Sequence, residues 1–172
     1  MTDNLLLGAL VFAAAVLQVT LVASIDIAGG TADLLLLTLL PIAFLRGSVT
    51  GAVAGFGGGL LIDVLTLDTL GVTALLYALA GYWAGRYGET TGRDRMHAPV
   101  LALLVGTVGI AFGGYALHFL LGEEVSARLA LYDTLLPSLA LNLLLGIPVY
   151  TFVRSTLARS RPDRIAEVQL LG

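Results

Sequence analysis

The sequence predicts an all-α integral membrane protein, a bundle of six transmembrane helices. Three observations carry that expectation. The 172 residues are 58% hydrophobic and 12% charged, with a mean hydropathy of +0.94, whereas a soluble domain has about 45–50% apolar and about 25% charged residues. Six apolar stretches, about 5–24, 33–46, 48–66, 71–87, 98–121 and 130–154, approach the ~20 residues that a spanning helix needs. The arginines sort onto one side of the bundle that these spans define.

The first span, 5–24, could pass for a signal peptide. Its flank Met1-Thr2-Asp3-Asn4 carries no basic residue, and its length exceeds the ~7–15-residue apolar core of such peptides. It is read as a retained transmembrane helix. The second span, 33–46, is short and abuts the third through Arg46-Gly47-Ser48, a tight helical hairpin with a minimal loop. Pro41 in span two and Pro148 in span six are expected to kink their helices or to mark where a neighbour satisfies the freed carbonyl.

The third span, 48–66, is the least ordinary. Gly51, Gly55 and Gly59 stand four apart and form a stripe without side chains on one helical face, where another backbone can approach closely. Two uses remain open for it, packing against a neighbouring span or receiving a partner. Asp63 continues the stripe. At 1.5 Å per residue it lies ~24 Å from Gly47, near the far edge of the hydrocarbon. It is expected either to cap the turn and the next helix or to serve a pocket or interface, with Arg128 as the charge partner to test. Thr69-Leu70-Gly71 opens span four, with Thr69 suited to cap the helix start and Gly71 to permit the turn.

Few polar residues lie within the spans: Gln18, Thr38, Tyr77, Tyr115, His118, Ser138 and Asn142. His118, toward the outer end of span five, reads as a satisfied interfacial histidine. Asn142, near the middle of span six, is expected to turn inward and bond a neighbouring helix, a contact worth about 0.6 kcal/mol. No second intramembrane carboxylate accompanies Asp63, and no Ser/His/Asp or metal-ligand set shares its plane. An enzyme is not expected, nor is a cofactor.

The composition narrows the class further. No polar stretch is long enough to fold as a separate soluble domain, so 1–172 is read as one transmembrane domain with a flexible cytoplasmic tail over 158–172. All nine basic residues are Arg and the formal net charge is −3, which leaves no clustered basic face for nucleic acid. With no cysteine and two histidines, His97 and His118, a disulfide framework, a thiolate nucleophile and a Cys-ligated metal are excluded.

Orientation follows from the arginines, because cytoplasmic loops are enriched in them. With six spans and both termini inside, the inner segments hold Arg46, Arg86, Arg93, Arg95, Arg154, Arg159, Arg161 and Arg164, and the outer segments hold Arg128 alone. The inner segments carry eight arginines and five acids, a net +3; the outer carry one arginine and seven acids, a net −6. The loops are too short to house an extramembrane catalytic site.

The run Gly55-Phe56-Gly57-Gly58-Gly59-Leu60-Leu61-Ile62-Asp63-Val64-Leu65-Thr66, followed by Thr69-Leu70-Gly71-Val72-Thr73-Ala74-Leu75, resembles the best-marked stretch of the MreD family. That pattern is a glycine-bearing span, leucine-rich residues, an aspartate, a short turn and a Leu-Gly pair opening the next helix. Ala32-Asp33-Leu34-Leu35-Leu36 resembles the family's Pro-Asp-apolar start of span two, with Ala32 in place of the proline. Asn142 matches a recurrent asparagine, and the arginine-rich end Arg154 to Arg164 is typical.

The resemblance implies a non-enzymatic subunit of the bacterial cell-elongation machinery in the inner membrane. Its implied partners are MreC, a bitopic membrane protein, with RodA, a class B penicillin-binding protein and MreB in the larger complex for lateral peptidoglycan synthesis and rod shape. It also implies a fold similar to the substrate-binding subunits of energy-coupling-factor vitamin transporters, and such a subunit is the alternative reading. The glycine face or an adjoining groove is expected to receive the MreC helix. Asp63 and the outer acidic loops would orient its stem. Arg86, Arg93 and Arg95 would face anionic membrane lipid or MreB.

Overall fold

The computed structural model describes residues 2–20, 29–91, 98–122 and 134–159. Arg93 and Arg95, Arg128, and residues 160–172 of the expected tail lie outside the described residues. Six helices follow in order: α1 (Thr2–Thr20), α2 (Leu34–Arg46), α3 (Ser48–Thr66), α4 (Val72–Thr91), α5 (Ala98–Leu120) and α6 (Leu135–Arg159). Of these, α3, α5 and α6 are long and apolar enough to cross a membrane.

Helix α2 is the axis of the bundle. It packs against all five other helices, and every residue from Leu35 to Phe44 is buried. A helix that is apolar all round belongs inside, and Leu34-Leu35-Leu36-Leu37-Thr38-Leu39-Leu40 is such a run. The rest wrap around it, with α1 against α3, α3 against α4, α4 against α5 and α5 against α6. Their outer faces carry exposed Phe12, Val53, Phe56, Val105, Phe112 and Ile147, the apolar surface that a lipid solvent accepts.

Several boundaries differ from the sequence expectation. Helix α6 begins at Leu135 and not near residue 130, which places Pro137 in its first turn, where its missing N–H costs no helical bond. The helix runs to Arg159, past the expected end of span six at 154 and into the first two residues of the expected tail. Helix α4 runs on to Thr91, one turn past the expected end.

Helix α2 has 13 residues and is therefore ~20 Å long, short of a ~30 Å hydrocarbon core. A non-helical strap, residues 29–33, precedes it. Non-helical backbone at membrane depth is tolerated only where protein satisfies its polar groups. The polar residues of the neighbouring helices meet that need.

Candidate functional site

The first polar cluster surrounds the strap. Gln18 of α1 donates from Nε2 to the Ala32 carbonyl (3.1 Å), and its Oε1 accepts from the Leu34 amide (2.6 Å). From α6, Ser138 Oγ accepts from the Thr31 amide (3.2 Å) and Asn142 Oδ1 from the Asp33 amide (2.7 Å). Asn142, 1% exposed, also donates from Nδ2 to Thr107 Oγ1 on α5 at 3.1 Å. Asp33 itself caps α2: Oδ1 accepts from the Leu36 amide (2.8 Å), and Oδ2 accepts from the Tyr77 hydroxyl of α4 (2.7 Å). A continuous chain of bonds thus runs Tyr77–Asp33–Asn142–Thr107 and ties α4, α2, α6 and α5 together.

The second cluster is the α3–α4 hairpin. The stripe Gly51, Gly55 and Gly59 is covered by α4 of the same chain. A Cβ on Gly51 would strike the Gly81 carbonyl, one on Gly55 the Tyr77 carbonyl, and one on Gly59 would lie 2.6 Å from Ala74 Cα. Gly81 and Gly85 reciprocate, meeting the backbone at Gly51 and at Gly47 and Ser48. The two backbones are in direct contact from Ser48 and Gly85 to Gly59 and Ala74. Of the two uses left open for this face, the structure shows the packing one, with α4 against its glycines.

Asp63 lies at the end of that stripe, 1% exposed. Its Oδ2 accepts from the amides of Gly71 (2.7 Å) and Ala74 (3.3 Å), and its Oδ1 from Thr73 (3.3 Å). The carboxylate is the N-terminal cap of α4, aligned with the positive end of the helix dipole. Its main-chain carbonyl meanwhile accepts from Leu67 and Asp68 and ends α3. Thr69 does not fill the capping role expected of it. Its own amide donates to Asp68 Oδ1 at 2.7 Å, while Gly71, at φ +96°, presents the first α4 amides to Asp63. Leu70, between them, is exposed.

The opposite end of the hairpin mirrors this. Glu89, from the last turn of α4, accepts at Oε1 from the Ser48 amide (2.8 Å) and hydroxyl (3.1 Å), capping α3. Arg86 Nη1 stands 3.5 Å from Glu89 Oε2, with 58% of its side chain exposed. The Ser48 amide, more than the arginine, holds the Glu89 carboxyl below its usual range. Each helix therefore supplies the carboxylate that starts the other. Glu89, Gln18, Tyr77 and Asp33 were not singled out as site residues from the sequence. An Asp immediately before an apolar run, and polar residues in otherwise apolar spans, were the available signals.

A third feature is apolar. Between α4 and α5 lies a cavity of about 520 Å3, lined among others by Leu76, Leu79, Trp83, Tyr87, Val105 and Gly109. His118 lies apart from all three features, half-buried in the last turn of α5. Among the described residues no three His, Asp or Glu side chains are grouped to hold a metal ion. The carboxylates of Asp33, Asp63 and Glu89 accept from backbone amides and neighbouring hydroxyls, which is the chemistry of locking helices together.

These features define a helical membrane protein of structural type, its polar side chains engaged in holding its own bundle. The chain belongs to the MreD family: the family model described as rod shape-determining protein MreD matches residues 2–157, nearly the whole length. No curated protein and no solved structure shows significant similarity to it.

Proposed function

We propose that the protein is a non-enzymatic scaffold of the bacterial elongation complex, which holds an MreC-like bitopic partner and so supports lateral peptidoglycan synthesis. RodA, a class B penicillin-binding protein and MreB complete the assembly. The family match over residues 2–157 carries this reading. The bundle supports a structural role, since its buried carboxylate and amide groups hold helix ends together. In this reading the chain crosses the inner membrane six times with both termini in the cytoplasm, the orientation that the arginine distribution favours. Because Gly51, Gly55 and Gly59 are covered by α4, the partner docks on an outward face of the bundle.

Affinity purification of the full chain from native membranes tests the reading. A bitopic MreC-like protein is expected as a major co-purifying species, and depletion of the chain is expected to round rod-shaped cells. A chain recovered without any elongation-complex component, from cells that keep their shape on depletion, would refute it. The topology has its own check. The chain has no native cysteine, so a single cysteine placed in 92–97 is expected to resist an impermeant maleimide in intact cells.

A further inference from the structure

We propose that the groove between α4 and α5 is a binding site for one acyl chain of a membrane phospholipid. The argument begins with its shape. The lining runs from Leu76 to Tyr87 on α4 and antiparallel from Leu101 to Gly113 on α5, which at 1.5 Å per residue is ~17 Å. A volume of about 520 Å3 over that length is a cross-section of ~30 Å2 for the centre of a water-sized sphere, so the walls stand ~9 Å apart. A helix with its side chains is ~10–12 Å across and does not enter such a slot. A single file of methylenes does, and ~17 Å is close to one leaflet's half of a ~30 Å hydrocarbon core.

Gly109 supplies the second observation. Glycine within a helix costs about 1 kcal/mol relative to alanine and is usually kept where something approaches closely. Gly106 and Gly113 of the same helix have such neighbours inside the chain, Leu36 and Leu76. A Cβ on Gly109 would meet nothing within 4 Å, yet Gly109 lines the groove. The space it leaves open is the groove itself. The third observation is the mouth. Trp83, 66% exposed, and Tyr87, held edge-on against Phe44 at 6.2 Å between ring centroids, stand at one end, with exposed Arg86 beside them. Indole and phenol groups favour the headgroup level of a bilayer, so the glycerophosphate lies at that end and the methyl terminus at the Leu76–Gly113 end.

The test uses the full chain extracted from its own membrane in mild detergent. Native mass spectrometry is expected to show one phospholipid retained per chain after detergent is stripped. Gly109→Leu, whose Cβ would meet no atom within 4 Å and whose branches would extend into the slot, is expected to lose it. Gly8→Leu, an equally open position on α1, is expected to keep it. An unliganded wild-type chain, a free fatty acid in place of phospholipid, or equal retention by Gly109→Leu would overturn the proposal. Trp83 is the chain's only tryptophan, so a second measurement is available on wild-type protein. Titration with a phospholipid brominated along its acyl chains is expected to quench it to saturation at one lipid per chain, and quenching that rises linearly with lipid would overturn the proposal. A Gly109→Cys chain that cross-links to another protein in native membranes would assign the groove to a protein helix instead.

Discussion

Alanine at Gly55 and at Gly57, two residues apart on α3, should have opposite consequences. Gly57 faces open space, with nothing within 4 Å of an added Cβ. At Gly55 the added Cβ would lie 2.5 Å from the Tyr77 carbonyl carbon and nearer still to its oxygen, where ordinary contact begins at 3.4 Å, so α4 must retreat by at least 0.9 Å (3.4 − 2.5). Both variants gain the same helix propensity, about 1 kcal/mol, so that term cancels between them. What remains is the overpacking cost, about 1–3 kcal/mol. The obstacle is main chain and cannot rotate away, which places the difference near the upper end, about 3 kcal/mol or roughly 150-fold in the folding equilibrium. A retreat of that size also stretches the 3.3 Å bonds from Thr73 and Ala74 to Asp63 beyond hydrogen-bonding range. Reversible unfolding of both variants in mixed micelles, titrated with denaturing detergent, measures the difference. Stabilities equal within about 0.5 kcal/mol, or Gly57→Ala as the weaker protein, would refute the backbone-contact account of the hairpin.

Three further outcomes follow from the same structure. Asp63→Ala strips the cap from α4 and should cost about 1–3 kcal/mol; the amides of Gly71 and Ala74 should exchange faster with solvent deuterium, while Asp63→Asn, which keeps one acceptor oxygen, recovers part of the loss. Asn142→Leu leaves the Asp33 amide without its acceptor at the start of α2 and should cost about 1–3 kcal/mol in the same unfolding assay; a neutral result would remove Asn142 from the network. Glu89 has a folded-state pKa below the usual 4.5, so its contribution is complete above 4.5 and fades as the pH falls through the lowered value. Exchange of the Ser48 amide should accelerate over that window in the wild type relative to Glu89→Gln, whose response should be flat.

Local pattern alone placed the helices, since a run of apolar residues and its interruption are properties of the chain in one dimension. The hairpin at Arg46-Gly47-Ser48 was legible because Gly47 divides two apolar runs, and its φ of +95° shows why a glycine stands there. The start of α6 lies five residues later than hydropathy implies, because hydropathy rises before Pro137 while the helix begins so that this proline falls in its first turn, where it costs no helical bond. The Gly51/Gly55/Gly59 stripe was visible as a face for close approach. Its partner was not, because any backbone fits a bare glycine ridge and hydropathy does not separate a lipid-facing from a protein-facing position.

By itself, then, the sequence determined the membrane class, the succession of helices, the family and the residues able to make polar contacts. Only the tertiary structure decided which contacts they make. Asn142 meets the Asp33 amide across 109 residues of chain, and Tyr77 meets the Asp33 carboxylate across 44, because the short α2 leaves a strap whose backbone must be satisfied within the bundle. Asp63 and Glu89 each begin the neighbouring helix because the contact at Gly51, Gly55 and Gly59 brings α3 and α4 close enough for a carboxylate on one to reach amides of the other. Hydrogen bonds are short-ranged and directional, so partner choice is settled only when packing has fixed which ends meet.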